Sequence, residues 1–316
     1  MGYALLFPGQ GSQSVGMAKD FVDAHPRARE TFEEADDALG FKLSTLCFEG
    51  PDEELKLTAN TQPAILAASI AVFRVVDAAA SGLAPVAVAG HSLGEYSAHV
   101  AAGCLAFADA LRLVRRRGEL MQEAVPVGTG AMAAVIGLDE EPLRALVESV
   151  SAEGDGIVTV ANLNSPGQIV IAGHRGAVER AADRAKGEGA RMAKMLPVSA
   201  PFHSPLMAPA RHGLQPMLDE TEFHDPNPQV VVNIDAAPVT AGPDARDALA
   251  RQIDGPVRWI ESIQAMRGDA VGAQVFAEIG PGKVLTGLGK RIDRSATWLP
   301  SPGAADLDAF LEKLTA

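Results

Sequence analysis

Ser92 stands between two glycines in Gly90-His91-Ser92-Leu93-Gly94, directly after the apolar run 86–89 and directly before a helix-forming segment that stops at Gly103. Strand, tight turn and helix in that order make a nucleophile elbow. Glycine two residues either side of the serine lets a strained turn lie against its neighbours without a Cβ clash, so the hydroxyl projects at the strand's carboxyl end. The first amides of the following helix point at whatever the serine attacks, which makes the Leu93 N–H one half of an oxyanion hole. In a chain with 31 glycines the five-residue pattern alone arises easily by chance. The strand before it and the helix after it carry the assignment. The neighbouring His91 is not the base, because adjacent side chains on a strand face opposite ways, and it is expected to support the turn.

A nucleophilic serine needs a base, a second oxyanion donor and a group that holds its substrate. Of seven histidines, His203 is the one placed where an extended segment, Ser199-Ala-Pro-Phe-His203, stops at a loop between domains, and it is the expected base. His25 and His224 lie in polar loops, His174 and His212 read as surface residues, and His99 falls on the elbow helix as a packing residue. A third group must hold the other ring nitrogen of His203. No carboxylate between Ser92 and His203 stands out for that task. The loop Pro8-Gly9-Gln10-Gly11-Ser12-Gln13 follows a strand and fits neither the Rossmann nor the Walker spacing. It offers the Gln10 N–H as second oxyanion donor, with an ordinary turn as the equal alternative.

A helix is expected from Asp109 to about Ala124, and in it Leu113, Val114, Leu120 and Met121 mark the buried stripe. Arg117 stands three or four residues from each of them, on the apolar face. A buried arginine must meet an anion, either a protein carboxylate in a core ion pair or a substrate carboxylate gripped by two hydrogen bonds. Arg115 and Arg116 point elsewhere and are read as solvated. The segment Asn162-Leu163-Asn164-Ser165-Pro166-Gly167 reads as an outward hairpin loop whose amides could touch a substrate or simply make the turn.

Two patterns of elements surround these residues. Strands at 3–7, 86–89, 228–234 and 275–279 alternate with helices at 28–39, 62–80, 109–124, 245–252 and 259–266, the second opened by Asn60-Thr61-Gln62-Pro63. The helical stretch 20–80 shows no chemistry of its own. Between them, strands at 131–138, 157–161, 168–172 and 190–198 and helices at 141–150 and 177–187 give a β-α-β-β-α-β order, which is ferredoxin-like. The expected fold class is α/β: an α/β-hydrolase-like large domain with a parallel sheet and nucleophile elbow, residues 1–127 and 198–316, carrying an inserted small ferredoxin-like domain, residues 128–197.

At 316 residues, with 47% hydrophobic and 21% charged side chains, the chain is globular. Its 27 basic against 40 acidic residues, a net of −13, argue against a general nucleic-acid or anionic-membrane binder. An anionic ligand must therefore meet a local basic patch, for which Lys283, Lys290, Arg291 and Arg294 with Arg184, Lys186, Arg191 and Lys194 are the candidates. Residues 1–7 lack a basic n-region, the best apolar run, 64–73, is cut by Arg74, and Cys47 and Cys104 sit in apolar surroundings. These features read as a cytoplasmic protein with reduced core cysteines and no membrane span.

With these residues in place, the chain resembles the malonyl-CoA:acyl carrier protein transacylases of fatty acid synthesis. The likeness runs in order along nearly the whole chain. It passes through Phe7-Pro8-Gly9-Gln10-Gly11-Ser12-Gln13, Gly90-His91-Ser92-Leu93-Gly94-Glu95-Tyr96-Ser97, Arg117-Gly118-x-x-Met121-Gln122, Asn164-Ser165-Pro166-Gly167-Gln168 and Gly280-Pro281-Gly282-Lys283-Val284-Leu285. The resemblance implies Ser92 as the acylated nucleophile, His203 as its base, Gln10 and Leu93 as oxyanion amides, and Arg117 as receptor of the malonate carboxylate. It implies that a main-chain carbonyl near Gln252, and not an acid, orients the histidine, and that Phe202 is the malonyl-selecting form of the residue before it. His91, Asn162 and Asn164 are expected in the pocket with Phe202. The implied reaction is ping-pong: malonyl passes from CoA to Ser92 and on to the phosphopantetheine thiol of an acyl carrier protein. A CoA thioester is a substrate there, and no cofactor or metal is bound. The small domain would keep water from the cleft, and the basic patch would meet an acidic carrier. A free-standing acyltransferase of a polyketide synthase shares these features. A serine hydrolase acting on carriers is the rival of another class, and Arg117 speaks against it.

Overall fold

Residues 3–7 are buried on both faces, the pattern of a strand inside a parallel sheet covered by helices. In the computed structural model, which describes residues 2–80, 84–198 and 200–315, this segment is β1 (Gly2–Phe7). Ser199 lies outside the described residues. The chain continues through α1 (Lys19–Ala24), α2 (Pro26–Leu39), α3 (Leu43–Glu49), α4 (Asp52–Leu55) and α5 (Thr58–Ala79) to β2 (Ala87–Gly90), α6 (Gly94–Ala101) and α7 (Phe107–Glu123). Next come β3 (Gly130–Ile136), α8 (Glu140–Ala152), β4 (Val158–Ser165), β5 (Gln168–His174), α9 (Arg175–Gly187) and β6 (Met192–Met195). After a 3₁₀ turn the chain returns through α10 (Ala208–Glu220), β7 (Val230–Val232), β8 (Ala237–Val239), α11 (Gly242–Gln252) and α12 (Trp259–Arg267). It ends with β9 (Ala273–Glu278), α13 (Val284–Ile292), β10 (Thr297–Leu299) and α14 (Leu307–Thr315).

Six strands in the order β10-β9-β1-β2-β7-β8 make one sheet, parallel except for β8, which turns back antiparallel on β7. Phe7 at the end of β1 is in register with Gly90 at the end of β2, so the Pro8–Gln13 loop and the elbow emerge side by side. That place, the crevice beyond the carboxyl ends of parallel strands, is where such sheets take ligands. The other four strands form an antiparallel sheet in the order β4-β5-β3-β6. One of its faces packs Val135, Ile169 and Ile171 against Leu143, Val147, Val178 and Ala181 of α8 and α9 in a core of its own. Its opposite face gives Met132, Val170 and Ala172 to the main core, over the elbow. Main-chain bonds from Leu163 N to Val257 O (2.9 Å) and from Val257 N to Ala161 O (2.8 Å) stitch the two units together.

That stitch corrects one expectation. Residues 162–165 are not an outward loop but the end of β4, with Leu163 and Ser165 fully buried, and the hairpin turn shrinks to Pro166-Gly167. Asn, Ser, Pro and Gly suggest a turn by composition, yet pairing with β5 on one side and Val257 on the other holds the segment extended. A second correction concerns α5, which starts at Thr58 and carries Pro63 inside it. Proline donates no hydrogen bond, so the Ala59 carbonyl one turn earlier loses its intrahelical partner. Arg115 supplies the replacement from α7, Nη1 to Ala59 O at 3.1 Å, while it also pairs with Glu119 and lies over the Phe41 ring. Arg115 is thus half-buried and fixed, whereas Arg116 stays at the surface beside Glu119. By length and composition α5 could cross a bilayer, but here it is mostly buried as the core helix between α2 and α7. The strand expected over 190–198 is the four-residue β6, and β8, β10, α13 and α14 add elements at the sheet edges and the end of the chain.

Candidate active site

The elbow depends on its glycines. A Cβ on Gly90 would lie 1.9 Å from the carbonyl carbon of Gly94, and one on Gly94 would lie 2.0 Å from the Phe7 oxygen. This close approach of α6 to β1 and β2 holds Ser92 in the left-handed region, φ 51°, a conformation that costs a non-glycine residue roughly 1–2 kcal/mol. Two distant side chains hold its backbone there. Ser92 N–H donates to Asn233 Oδ1 at 2.7 Å, and Asn233 Nδ2 donates to Gly90 O at 2.7 Å. The Ser92 carbonyl accepts from Gln252 Nε2 at 3.0 Å and from the Glu95 N–H at 3.1 Å.

His203 is buried on the turn that follows β6, also in the left-handed region with φ 58°, and Ser204 Oγ braces that turn by donating to Pro201 O at 2.7 Å. Its Nε2 lies 2.7 Å from Ser92 Oγ. Its Nδ1 faces two main-chain carbonyls, Gln252 O at 2.9 Å and Gly255 O at 3.2 Å. Carbonyls only accept, so Nδ1 carries the ring proton and the Nε2 lone pair faces the serine hydroxyl. Burial, and then the positive charge of Arg117, push the imidazole pKa down to about 3, so the ring is neutral. No carboxylate is needed to set this tautomer.

Arg117 is 1% exposed. Glycine at 118 lets α7 approach α5 until a Cβ there would sit 2.7 Å from the Ala59 Cα, which brings the guanidinium to the elbow. Arg112, Arg115 and Arg116 of the same helix each pair with an acid. Arg117 meets neutral oxygens: Gln62 Oε1 at 2.8 Å, Gln252 Oε1 at 2.9 Å and Ser92 Oγ at 3.2 Å. The core ion pair is therefore absent among the described residues. A buried cation held only by neutral acceptors, with an N–H on the nucleophile, keeps its charge available for an incoming carboxylate.

A cavity of about 220 Å³ joins these groups to Gln10, Leu93, Asn162, Asn164 and Phe202, with Met121, Met132, Leu196 and Val198 as apolar wall. The main-chain N–H groups of Gln10 and Leu93 donate to no other backbone group among the described residues. His91 turns its ring away from Ser92, with Nε2 2.8 Å from Asn164 Oδ1 and the ring 5.5 Å from that of Trp259. Burial lowers its pKa as well. All ten residues expected at the site thus come together around one elbow.

The pattern reading missed Gln62, Asn233 and Glu95. Gln62 lies in the stretch taken to have no chemistry, where a lone amide on an otherwise apolar helix face was the available signal. Asn233 directly follows the apolar Val230-Val231-Val232 and is fully buried, as is Glu95 in the first turn of the elbow helix. No group of three or more His, Cys, Asp or Glu side chains among the described residues is placed to hold a metal ion.

Residues 4–303 match the acyl transferase domain family. The chain is 51% identical over 310 residues to the malonyl CoA-acyl carrier protein transacylase of Escherichia coli K12, covering 97% of this chain and 99% of that protein. The solved acyl-carrier-protein S-malonyltransferase of Burkholderia pseudomallei 1710b superposes with a TM-score of 0.94 at 49% identity, over 99% of this chain and 100% of that one. A malonyl-transacylase solved in complex with its type II polyketide synthase acyl-carrier protein superposes with a TM-score of 0.95 at 48% identity, over 99% and 100% of the two chains.

Proposed function

The chain belongs to the malonyl-CoA:acyl carrier protein transacylase family, and from that premise we infer how its own residues transfer malonyl from malonyl-CoA to the phosphopantetheine thiol of an acyl carrier protein. One observation carries the site assignment: Ser92 Oγ lies 2.7 Å from His203 Nε2 and 3.2 Å from Arg117 Nη2 in the same cavity. Base, nucleophile and carboxylate receptor share one oxygen's surroundings.

The malonyl carboxylate docks on Arg117, whose fork releases Ser92 Oγ to take it. Ser92 attacks the thioester carbonyl while its proton passes to His203 Nε2, and the Gln252 and Gly255 carbonyls stabilise the imidazolium through Nδ1–H. The oxyanion forms against the N–H groups of Gln10 and Leu93. Its collapse expels the CoA thiolate, which takes the proton from His203. The carrier's thiol then gives its proton to the same nitrogen and attacks the malonyl ester, and Ser92 recovers its hydroxyl. Serine, histidine and main-chain amides supply every group the chemistry needs, so the reaction draws on no bound cofactor, and CoA enters as part of a substrate. His91, Asn162, Asn164 and Phe202 shape the acyl pocket.

We read the six-stranded unit, residues 1–127 and 198–316, as an α/β-hydrolase-like domain, and residues 128–197 as an inserted ferredoxin-like domain. The strand order β6-β3-β5-β4 and the separate apolar core support that division. For the carrier, the basic patch divides in two. Arg184 and Lys186 are tied to Glu153 and Asp183 on the small unit. Lys283, Lys290, Arg291, Arg294, Arg191 and Lys194 are exposed and enter no ion pair among the described residues, and Arg291 reaches Gln168 beside the hairpin turn. These six are the docking surface we assign to an acidic carrier. The buried, free Cys47 and Cys104 support a cytoplasmic location. Fatty acid synthesis is the pathway read here. The likeness to the transacylase solved with a polyketide carrier favours a second reading in which the carrier serves polyketide synthesis.

Intact-protein mass after mixing with malonyl-CoA, with acetyl-CoA as control and Ser92→Ala as blank, tests the site. The expected result is a malonyl adduct on the wild type alone, with little acetyl adduct. CoA release without any adduct would make the enzyme a hydrolase and overturn the reading.

A further inference from the structure

Two opposite charges are buried beside the elbow without touching each other. Glu95 is fully buried. Its Oε2 accepts the main-chain N–H of Asn233 at 2.7 Å, and its Oε1 has no partner among the described residues. Arg117 is equally buried, and its Nε is also unpartnered among the described residues. The Gln252 side chain stands between them: Oε1 accepts from Arg117, and the amide nitrogen, donating to Ser92 O at 3.0 Å, lies beside the Glu95 carboxylate. An amide with its N–H side towards a carboxylate and its C=O towards a guanidinium is favourably oriented for both charges while holding them apart.

We propose that Glu95 is the counter-charge that tunes Arg117 for carboxylated acyl groups, ionised when the pocket is empty and protonated when a substrate carboxylate sits on the arginine. The proposal rests on the reading of Arg117 given above. In the empty site, at a pH above the value at which Glu95 ionises, the two charges sum to zero. A malonyl carboxylate adds a negative charge beside the buried Arg117 and Glu95, and a proton taken up by Glu95 restores the balance.

Burial pushes the Glu95 carboxyl up to about 7, against the pull of the Gln252 and Asn233 N–H groups and of Arg117, and Asp235 beyond β7 adds to the rise. The other titratable groups facing the site hold their protonation state: the Tyr96 hydroxyl is pushed up to about 12, His203 down to about 3, and His91 is also lowered. His99, one turn along α6 from Glu95, is pushed down to about 3. A bound carboxylate raises Glu95 further, so its pKa is higher in the loaded site than in the empty one. Malonyl binding is then strongest below the empty-site value and weakens as pH rises from there towards the loaded-site value. An acetyl group brings no charge and feels no such dependence.

Glu95→Gln keeps the acceptor for Asn233 N–H and removes the titration. The test is KM for malonyl-CoA and for acetyl-CoA at pH 6.5 and 8.5. The expected rise for malonyl-CoA in the wild type is about tenfold, the scale of a one-unit pKa displacement between two buried carboxylates. The variant should stay at the low value at both pH values, with acetyl-CoA flat in both proteins. A flat wild type, or an unchanged slope in Glu95→Gln, overturns the proposal. Should the variant fail to fold, proton uptake by wild type mixed with malonyl-CoA at pH 7.5, read with an indicator in weak buffer, decides instead. A substantial fraction of a proton per malonyl-enzyme supports the role of Glu95, and none overturns it. Failure to form any malonyl-Ser92 would defeat the site assignment itself and is recognised separately by mass.

Discussion

Asn233→Ala removes two hydrogen bonds of 2.7 Å from the nucleophile's own backbone, one to Ser92 N–H and one to Gly90 O. The Gly90 oxygen is left buried without a partner, which costs roughly 1–3 kcal/mol, and the partly buried Ser92 N–H adds about 1 kcal/mol. Relaxation of the left-handed Ser92 returns about 1 kcal/mol of this, so the expected loss of stability is roughly 1–3 kcal/mol. A domain with the usual 5–15 kcal/mol survives that. The relaxation moves Ser92 Oγ away from His203 Nε2, and a displacement of about 1 Å lowers the acylation rate on the order of 100-fold. Urea unfolding at equilibrium reads the first effect and the time course of malonyl-enzyme by intact mass reads the second. Asn233→Asp, which keeps the acceptor for Ser92 N–H but sets an oxygen against Gly90 O, should fall at least as far in stability while keeping more of the rate. A loss below about 1 kcal/mol with unchanged acylation would refute the idea that this side chain holds the elbow in place.

Arg117→Ala should lose malonyl transfer by about 100-fold or more, on the scale of two charge-assisted hydrogen bonds, with acetyl transfer kept or raised. Equal loss of both in steady-state transfer assays would make Arg117 a structural residue. Acid sensitivity follows from His99 and His203, both pushed down to about 3 in the folded chain. Each contributes stability that is complete above the unfolded value near 6.5 and is lost as pH falls towards the folded value. Glu95, raised to about 7, contributes with the opposite sign, its stability present below the unfolded value near 4.5 and lost as pH rises through 7. Between pH 6 and 5 Glu95 offsets one of these histidines, while His91, also lowered by burial, adds to the loss, so His99→Gln should reduce the wild-type slope in urea titrations by about 1.4 kcal/mol per pH unit.

The elbow was legible because its constraints are local: an apolar run, two glycines and a helix start lie within one short stretch. Arg117 was legible because helical spacing alone puts it on the face of Leu113 and Met121. Neither its free charge nor its partners could be read that way, since Gln62, Asn233 and Gln252 reach it and the elbow from three distant parts of the chain. The group that orients His203 had no signal in composition or spacing, because a main-chain carbonyl belongs to every residue, and only the family resemblance pointed to Gln252. The end of β4 was misread because its polar composition matches a turn, and the pairing that keeps it extended comes from Val257, some ninety residues later. The three-residue strands β8 and β10 are too short for any period to show.

Gln252 serves its neighbours His203, Arg117 and Ser92 through two different parts of itself, the peptide and the side chain. Its peptide oxygen anchors the imidazole of His203, and its side-chain oxygen holds the guanidinium of Arg117. Substitution can alter the second and has no direct means of removing the first. Position 252 is therefore a place where a replacement that keeps the amide N–H on the Ser92 carbonyl can adjust which acyl groups are chosen while leaving the anchor of His203 intact.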